Sequence, residues 1–139
     1  MSLSKVLYTA TATAEGGREG RTHSDDGQLD LTVSVPTALG GPGKGSNPEQ
    51  LFAAGFAACF HSALQLVARK AKQDVSNSTV TASVGIGPDG AGYGLRVDLV
   101  VALPGLDPSV AGDLVKQADD VCPYSNATRG NIEVTHRIA

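Results

Sequence analysis

Two residues dominate the chemistry open to this chain: Cys59 and Cys122, its only cysteines. An ionised thiol is a strong nucleophile, and two thiols together can cycle between dithiol and disulfide. The bland alternative is that both are small core hydrophobes, a common role for a free cysteine. Other reactive groupings are poor. Cys59 and His61 lie two apart on a predicted helix, so they face different ways and cannot chelate a metal together. His23 falls in a polar segment and His136 on the apolar face of a predicted strand, and all three histidines read as hydrogen-bonded structural residues. The string Gly85-Ile86-Gly87-Pro88-Asp89-Gly90 has dinucleotide-loop spacing, but a strand pattern follows it where a helix is needed to hold a pyrophosphate. Gly43-Lys44-Gly45-Ser46 breaks the order of a phosphate loop.

A reactive thiol must be a thiolate. At an unperturbed pKa of about 8.5, only a few per cent is ionised near neutrality, and apolar burial lowers that further. Cys59 lies too far along its helix for the N-terminal dipole to help. A cation from elsewhere in the fold is therefore required. Arginine suits best, because its charge survives burial and its fork can hold a carboxylate and a thiolate together. Glu49 is a natural orienting carboxylate, yet ten residues of straight helix put it about 15 Å along the axis from Cys59. Either a second subunit supplies Glu49, or the helix departs from the ideal.

The elements that must position these groups are legible. Val6 to Thr13 alternate as a strand, Gly16 to Gly20 form a turn, and Leu29, Leu31, Val33 and Val35 mark a half-buried strand ended by Pro36. After a glycine-rich loop, Asn47-Pro48-Glu49-Gln50 opens a helix expected to reach about Lys72. Its first half, Leu51 to Phe60, is apolar around the whole circumference, so burial on all sides is expected. Val80 to Ile86 and Tyr93 to Leu103 read as a hairpin. Asp107-Pro108 opens a second helix whose stripe Leu114, Ala118 and Cys122 faces the core until Pro123 stops it. Ile132 to Ile138 alternate as a closing strand. The fold class is α+β, with antiparallel sheets around a long buried central helix. One 139-residue domain cannot easily cover such a helix alone, so a homodimer with the central helices inside is expected.

Composition narrows the function classes. Hydrophobic residues are 41% and charged ones 18%, enough for a packed core. The net charge of −3 and the 4% aromatic content argue against a nucleic-acid or anionic-membrane binder. No charged-then-apolar leader opens the chain, and the dense run Leu51–Phe60 is too short to span a bilayer. A soluble, cytoplasmic protein is expected, in which a structural disulfide would not persist.

Two segments have the character of a known family. Val121-Cys122-Pro123-Tyr124-Ser125-Asn126-Ala127-Thr128-Arg129-Gly130-Asn131 resembles the second-cysteine signature of the organic hydroperoxide resistance (Ohr) proteins, a branch of the OsmC/Ohr family. Asn47 to Gly55, with Ala58-Cys59-Phe60, resembles the first-cysteine helix, and Lys5 to Ala10 and Gly16 to Gly20 match as well. The resemblance implies an OsmC-like fold built as an intertwined homodimer, and thiol-dependent reduction of organic hydroperoxides to alcohols. By the same resemblance Cys59 is the peroxidatic cysteine and Cys122 the resolving one, with a disulfide between them as the oxidised form. Arg18 and Glu49 match the pair that holds the thiolate. The implied reductant is a dihydrolipoyl group, as dihydrolipoamide or on a lipoylated protein, and no metal, flavin or haem cofactor is implied. Leu39, Phe56 and Tyr124 are candidate lining residues for an alkyl chain. A non-catalytic redox-sensing or small-molecule-binding dimer is the rival reading.

Overall fold

The computed structural model describes residues 2–139. Backbone contacts divide it into two compact units, one ending at Pro48 and the other running from Glu49 to Ala139. The first unit is a three-stranded antiparallel sheet of β1 (Ala12–Glu15), β2 (Gly20–Ser24) and β3 (Asp30–Val33), followed by a short 3₁₀ turn at Thr37–Leu39. The strand expected over 6–13 forms ladder pairs only from Ala12 onward. Upstream of it, Leu3, Val6, Leu7 and Tyr8 are all strongly exposed. β2 escaped the sequence reading because its residues lie on a thin, largely solvated sheet and carry no apolar alternation.

The second unit holds α1 (Pro48–Lys70), the hairpin β4 (Thr79–Asp89) and β5 (Gly92–Ala102), α2 (Pro108–Val121), α3 (Pro123–Thr128) and β6 (Val134–Ile138). The Asp107 carboxylate caps α2 by accepting from the Ser109 N–H. Pro123 stops α2 as expected, but its fixed φ also suits the first turn of α3, a helix the sequence reading missed. One expectation is corrected: β6 pairs with β5 in parallel, not antiparallel. The chain leaves β5, crosses through α2 and α3, and returns to the same end of the sheet, which is how a helical crossover delivers a parallel strand.

The core lies between this sheet and the helices. Phe56, Phe60 and Leu64 of α1, Val97, Leu99 and Val101 of β5, and Leu114 and Ala118 of α2 form one buried cluster that includes Cys122. In the single chain α1 is buried on one face rather than all round, and Ala54 and Ala58 on another face are exposed. α1 is long and apolar enough to cross a membrane, with an 18-residue stretch of mean hydropathy 1.6, more than the run Leu51–Phe60 alone indicates. Its packing is that of a core helix, since Phe56, Phe60 and Leu64 are fully buried.

The end of α1 comes slightly earlier than Lys72. The Gln73 N–H donates to the Ala68 carbonyl and the Lys72 N–H to that of Arg69, while Lys72 itself takes φ +57°. That is a Schellman ending with lysine where glycine fits best. Lys72→Gly should stabilise the protein by about 0.5–1 kcal/mol, raising Tm by roughly 3 °C in thermal denaturation. A fall in Tm would contradict this reading of the helix end.

Candidate active site

The packing of α1 against the α2–α3 junction brings the two cysteines together. Cys59 sits mid-helix in α1 and is half-buried, while Cys122 forms the joint between α2 and α3 and is fully buried. Both thiols are free, and their Sγ atoms are 3.7 Å apart. A disulfide needs about 2.05 Å, so the two sulfurs are close neighbours that must still approach to bond.

Electrostatics within this unit disfavours the thiolate. Burial pushes the Cys59 thiol up, the backbone N–H of Tyr124 at the start of α3 pulls it down, and the neighbouring Cys122 sulfur adds to the rise. The need for an added cation, inferred from sequence, thus has a structural cause. The candidate, Arg18, is half-buried in the tight turn between β1 and β2 of the first unit. That turn uses Gly16 and Gly17 at φ +78° and +59°. Its next residue, Glu19, ties it to the end of β3 by accepting from the Val35 N–H at 2.8 Å. Glu49 lies in the first turn of α1. Because α1 runs unbroken from Pro48 to Lys70, Glu49 and Cys59 of one chain are about 15 Å apart along the axis.

An aromatic group flanks the sulfurs. The Tyr124 ring lies 5.6 Å from that of Phe56 and 6.1 Å from that of Phe52, both in edge-on geometry. Tyr124 meets α1 at Gly55, where a Cβ would fall 2.7 Å from its hydroxyl oxygen, so glycine there lets the ring approach the helix closely. Phe56 and Phe60 are fully buried, whereas Phe52 and Tyr124 retain accessible surface. The apolar face offered beside Cys59 is therefore built from Phe52 and Tyr124. Leu39 lies in the 3₁₀ turn of the first unit and is exposed.

The histidines have structural partners. His61 Nε2 is 2.9 Å from Ser78 Oγ, His136 Nε2 is 3.1 Å from Asp119, and His23 is 3.9 Å from Glu15. Among the described residues, no three His, Cys, Asp or Glu side chains converge where a metal ion could be held. Gly85 to Gly90 end β4 and turn into β5, with no helix to receive a phosphate.

The difference in burial makes a direct prediction. Iodoacetamide should modify Cys59 of the reduced native protein at least about tenfold faster than Cys122, read by peptide mass spectrometry. Equal labelling would contradict the observed burial.

Comparison with known proteins identifies the family. The model of the family described as "OsmC-like protein" matches residues 41–137. The chain is 54% identical to an organic hydroperoxide resistance protein of Xanthomonas axonopodis pv. citri, over 97% of this chain and 96% of that one. It is 51% identical to the organic hydroperoxide resistance protein OhrA of Bacillus subtilis, over 99% of both. The crystal structure of an organic hydroperoxide resistance protein from Elizabethkingia anophelis superposes with a TM-score of 0.92 at 52% identity, covering 97% of this chain and 98% of that one. By fold and by sequence, this chain belongs to the OsmC/Ohr family, on its organic hydroperoxide resistance branch.

Proposed function

We propose that the protein serves organic hydroperoxide resistance as a two-cysteine peroxidase. The observation that carries this reading is the 3.7 Å approach of two free thiols beside an apolar aromatic face. The Cys59 thiolate attacks the terminal oxygen of the hydroperoxide, the O–O bond breaks, and the alkoxide takes a proton to leave as the alcohol. Cys59 becomes a sulfenic acid. The Cys122 sulfur then attacks the Cys59 sulfur and the S–O bond breaks. Its thiol proton leaves with the hydroxide as water. A dihydrolipoyl dithiol, free or carried on a lipoylated protein, reduces the disulfide by two exchange steps and leaves as the cyclic disulfide.

The residues divide the work. Arg18 holds the Cys59 thiolate against the burial that opposes it. Glu49 orients the guanidinium. Since α1 runs unbroken between them, a second copy of the chain is the source of Glu49 at each Cys59. The same second copy covers the exposed Ala54–Ala58 face of α1 and pairs with the apolar arm Leu3, Val6, Leu7 and Tyr8, making an intertwined homodimer in which both compact units act as one domain. Phe52 and Tyr124 favour alkyl hydroperoxides over hydrogen peroxide, because each buried CH₂ gains about 0.8 kcal/mol and hydrogen peroxide has none. The thiols regenerate in a reducing compartment, which places the work in the cytoplasm.

A steady-state assay with tert-butyl hydroperoxide and dihydrolipoamide tests this. The wild type should turn over continuously. Cys59→Ser should abolish consumption, and Cys122→Ser should allow one oxidation and then stall. Arg18→Ala should move the pH midpoint of Cys59 alkylation up by about one pH unit or more. A single stoichiometric oxidation of the wild type would favour a redox sensor, and unimpaired turnover in both cysteine variants would overturn the reading.

A further inference from the structure

Disulfide closure is sensitive to where the fully buried Cys122 stands, and that residue is a joint between two helices rather than part of either. Apolar packing does not secure this joint on every side. A cavity of about 230 Å³ lies beside it, lined by Asp119, Ser125, Thr128, Arg129, Ile132 and His136 among others. The Ser125 hydroxyl is buried there without a hydrogen-bond partner. What spans the region is polar. His136 Nε2 of β6 lies 3.1 Å from Oδ1 of Asp119, one turn before Cys122 on α2, and Asp119 Oδ2 accepts from Arg129 Nη2 at 3.3 Å. Arg129 Nη2 also donates to the Asp119 carbonyl at 2.7 Å, one of the carbonyls that the end of α2 leaves without a helical partner. Its Nη1 donates to Asn126 Oδ1 of α3 at 2.7 Å. The His136 ring rests 5.6 Å from that of Phe60, the residue after Cys59 on α1. One carboxylate thus ties together the end of α2, the end of α3 and the edge strand of the sheet.

We propose that Asp119, Arg129 and His136 form a clamp that sets the Cys122 sulfur against the Cys59 sulfur, and so govern disulfide closure without taking part in the peroxide step. The proposal rests on the two-cysteine reading above. The clamped step is Cys59–SOH plus Cys122–SH giving the disulfide and water, so only the approach of the two sulfurs depends on the clamp. All three are positioning residues. Loosening them leaves Cys59, its aromatic face and its peroxide chemistry in place while lowering the fraction of time Cys122 spends within reach.

The experiment separates the two steps in single turnover. Reduced protein is mixed with excess tert-butyl hydroperoxide, loss of the Cys59 thiol and appearance of the disulfide are timed by acid quench, and dimedone traps sulfenic acid. His136→Leu should slow closure by about tenfold or more, since small misplacements of reacting groups are costly, and should raise dimedone adduct and sulfinic acid at Cys59. The rate of Cys59 oxidation should stay within about twofold of wild type. His136→Gln keeps an N–H donor for Asp119 and should restore most of the closure rate. Asp119→Asn, nearly isosteric, should slow closure in the same selective way and carries the test should the leucine variant not fold. Closure at the wild-type rate in both variants, or equal slowing of both steps, would overturn the clamp. A glutamine variant as slow as the leucine one would also overturn it. A wild type that oxidises without ever forming the Cys59–Cys122 bridge would overturn the two-cysteine reading and the clamp together.

Discussion

The arrangement depends on one contact, the approach of a mid-helix sulfur in α1 to a sulfur at the joint of α2 and α3. Each element exists for ordinary reasons. α1 is a long apolar helix whose phenylalanines and leucine fill the space against β5, and α2 is an amphipathic helix capped by Asp107 and ended by Pro123. Their packing places Cys122 at zero exposure within the main core cluster, with Cys59 packed against that cluster from its edge. The cysteine pair is therefore held by the same burial that stabilises the fold.

That burial creates the central tension. A half-apolar site raises the thiol and starves it of the ionised form, while a single N–H from Tyr124 offsets only part of the effect. A permanent positive charge would offset this without exposing the sulfur, whereas exposure would also admit water and oxidants to a sulfenic acid formed there. The Phe52–Phe56–Tyr124 group answers the same constraint from the apolar side, with Gly55 giving Tyr124 room to approach the helix closely.

Periodicity in the sequence located α1, the β4–β5 hairpin and α2 closely, because each buries one strong apolar stripe. It misjudged what periodicity does not encode. Alternation in 132–138 marked a strand without its direction, which the two intervening helices decide. α3 is only six residues long, and its leading proline reads equally well as a stop or a start. The segment 6–13 has the alternation of a strand, but most of it finds no ladder partner within its own chain. The site shows the same division. The two cysteines stand out by type and by their place on core-facing helical positions, whereas the Asp119 carboxylate joining Arg129 and His136 is invisible in sequence, since its partners come from separate elements. Phe56, a candidate lining residue by sequence, is fully buried in the core.

The central claim is that the two sulfurs form one redox unit within one chain. The most direct measurement is a peptide map of the reduced protein after a single equivalent of an alkyl hydroperoxide, under denaturing, thiol-blocked conditions. A Cys59–Cys122 linked peptide in a chain that migrates as a monomer without reductant is the predicted result. Two blocked, unlinked cysteines, or a bridge joining Cys59 residues of two chains, would contradict it.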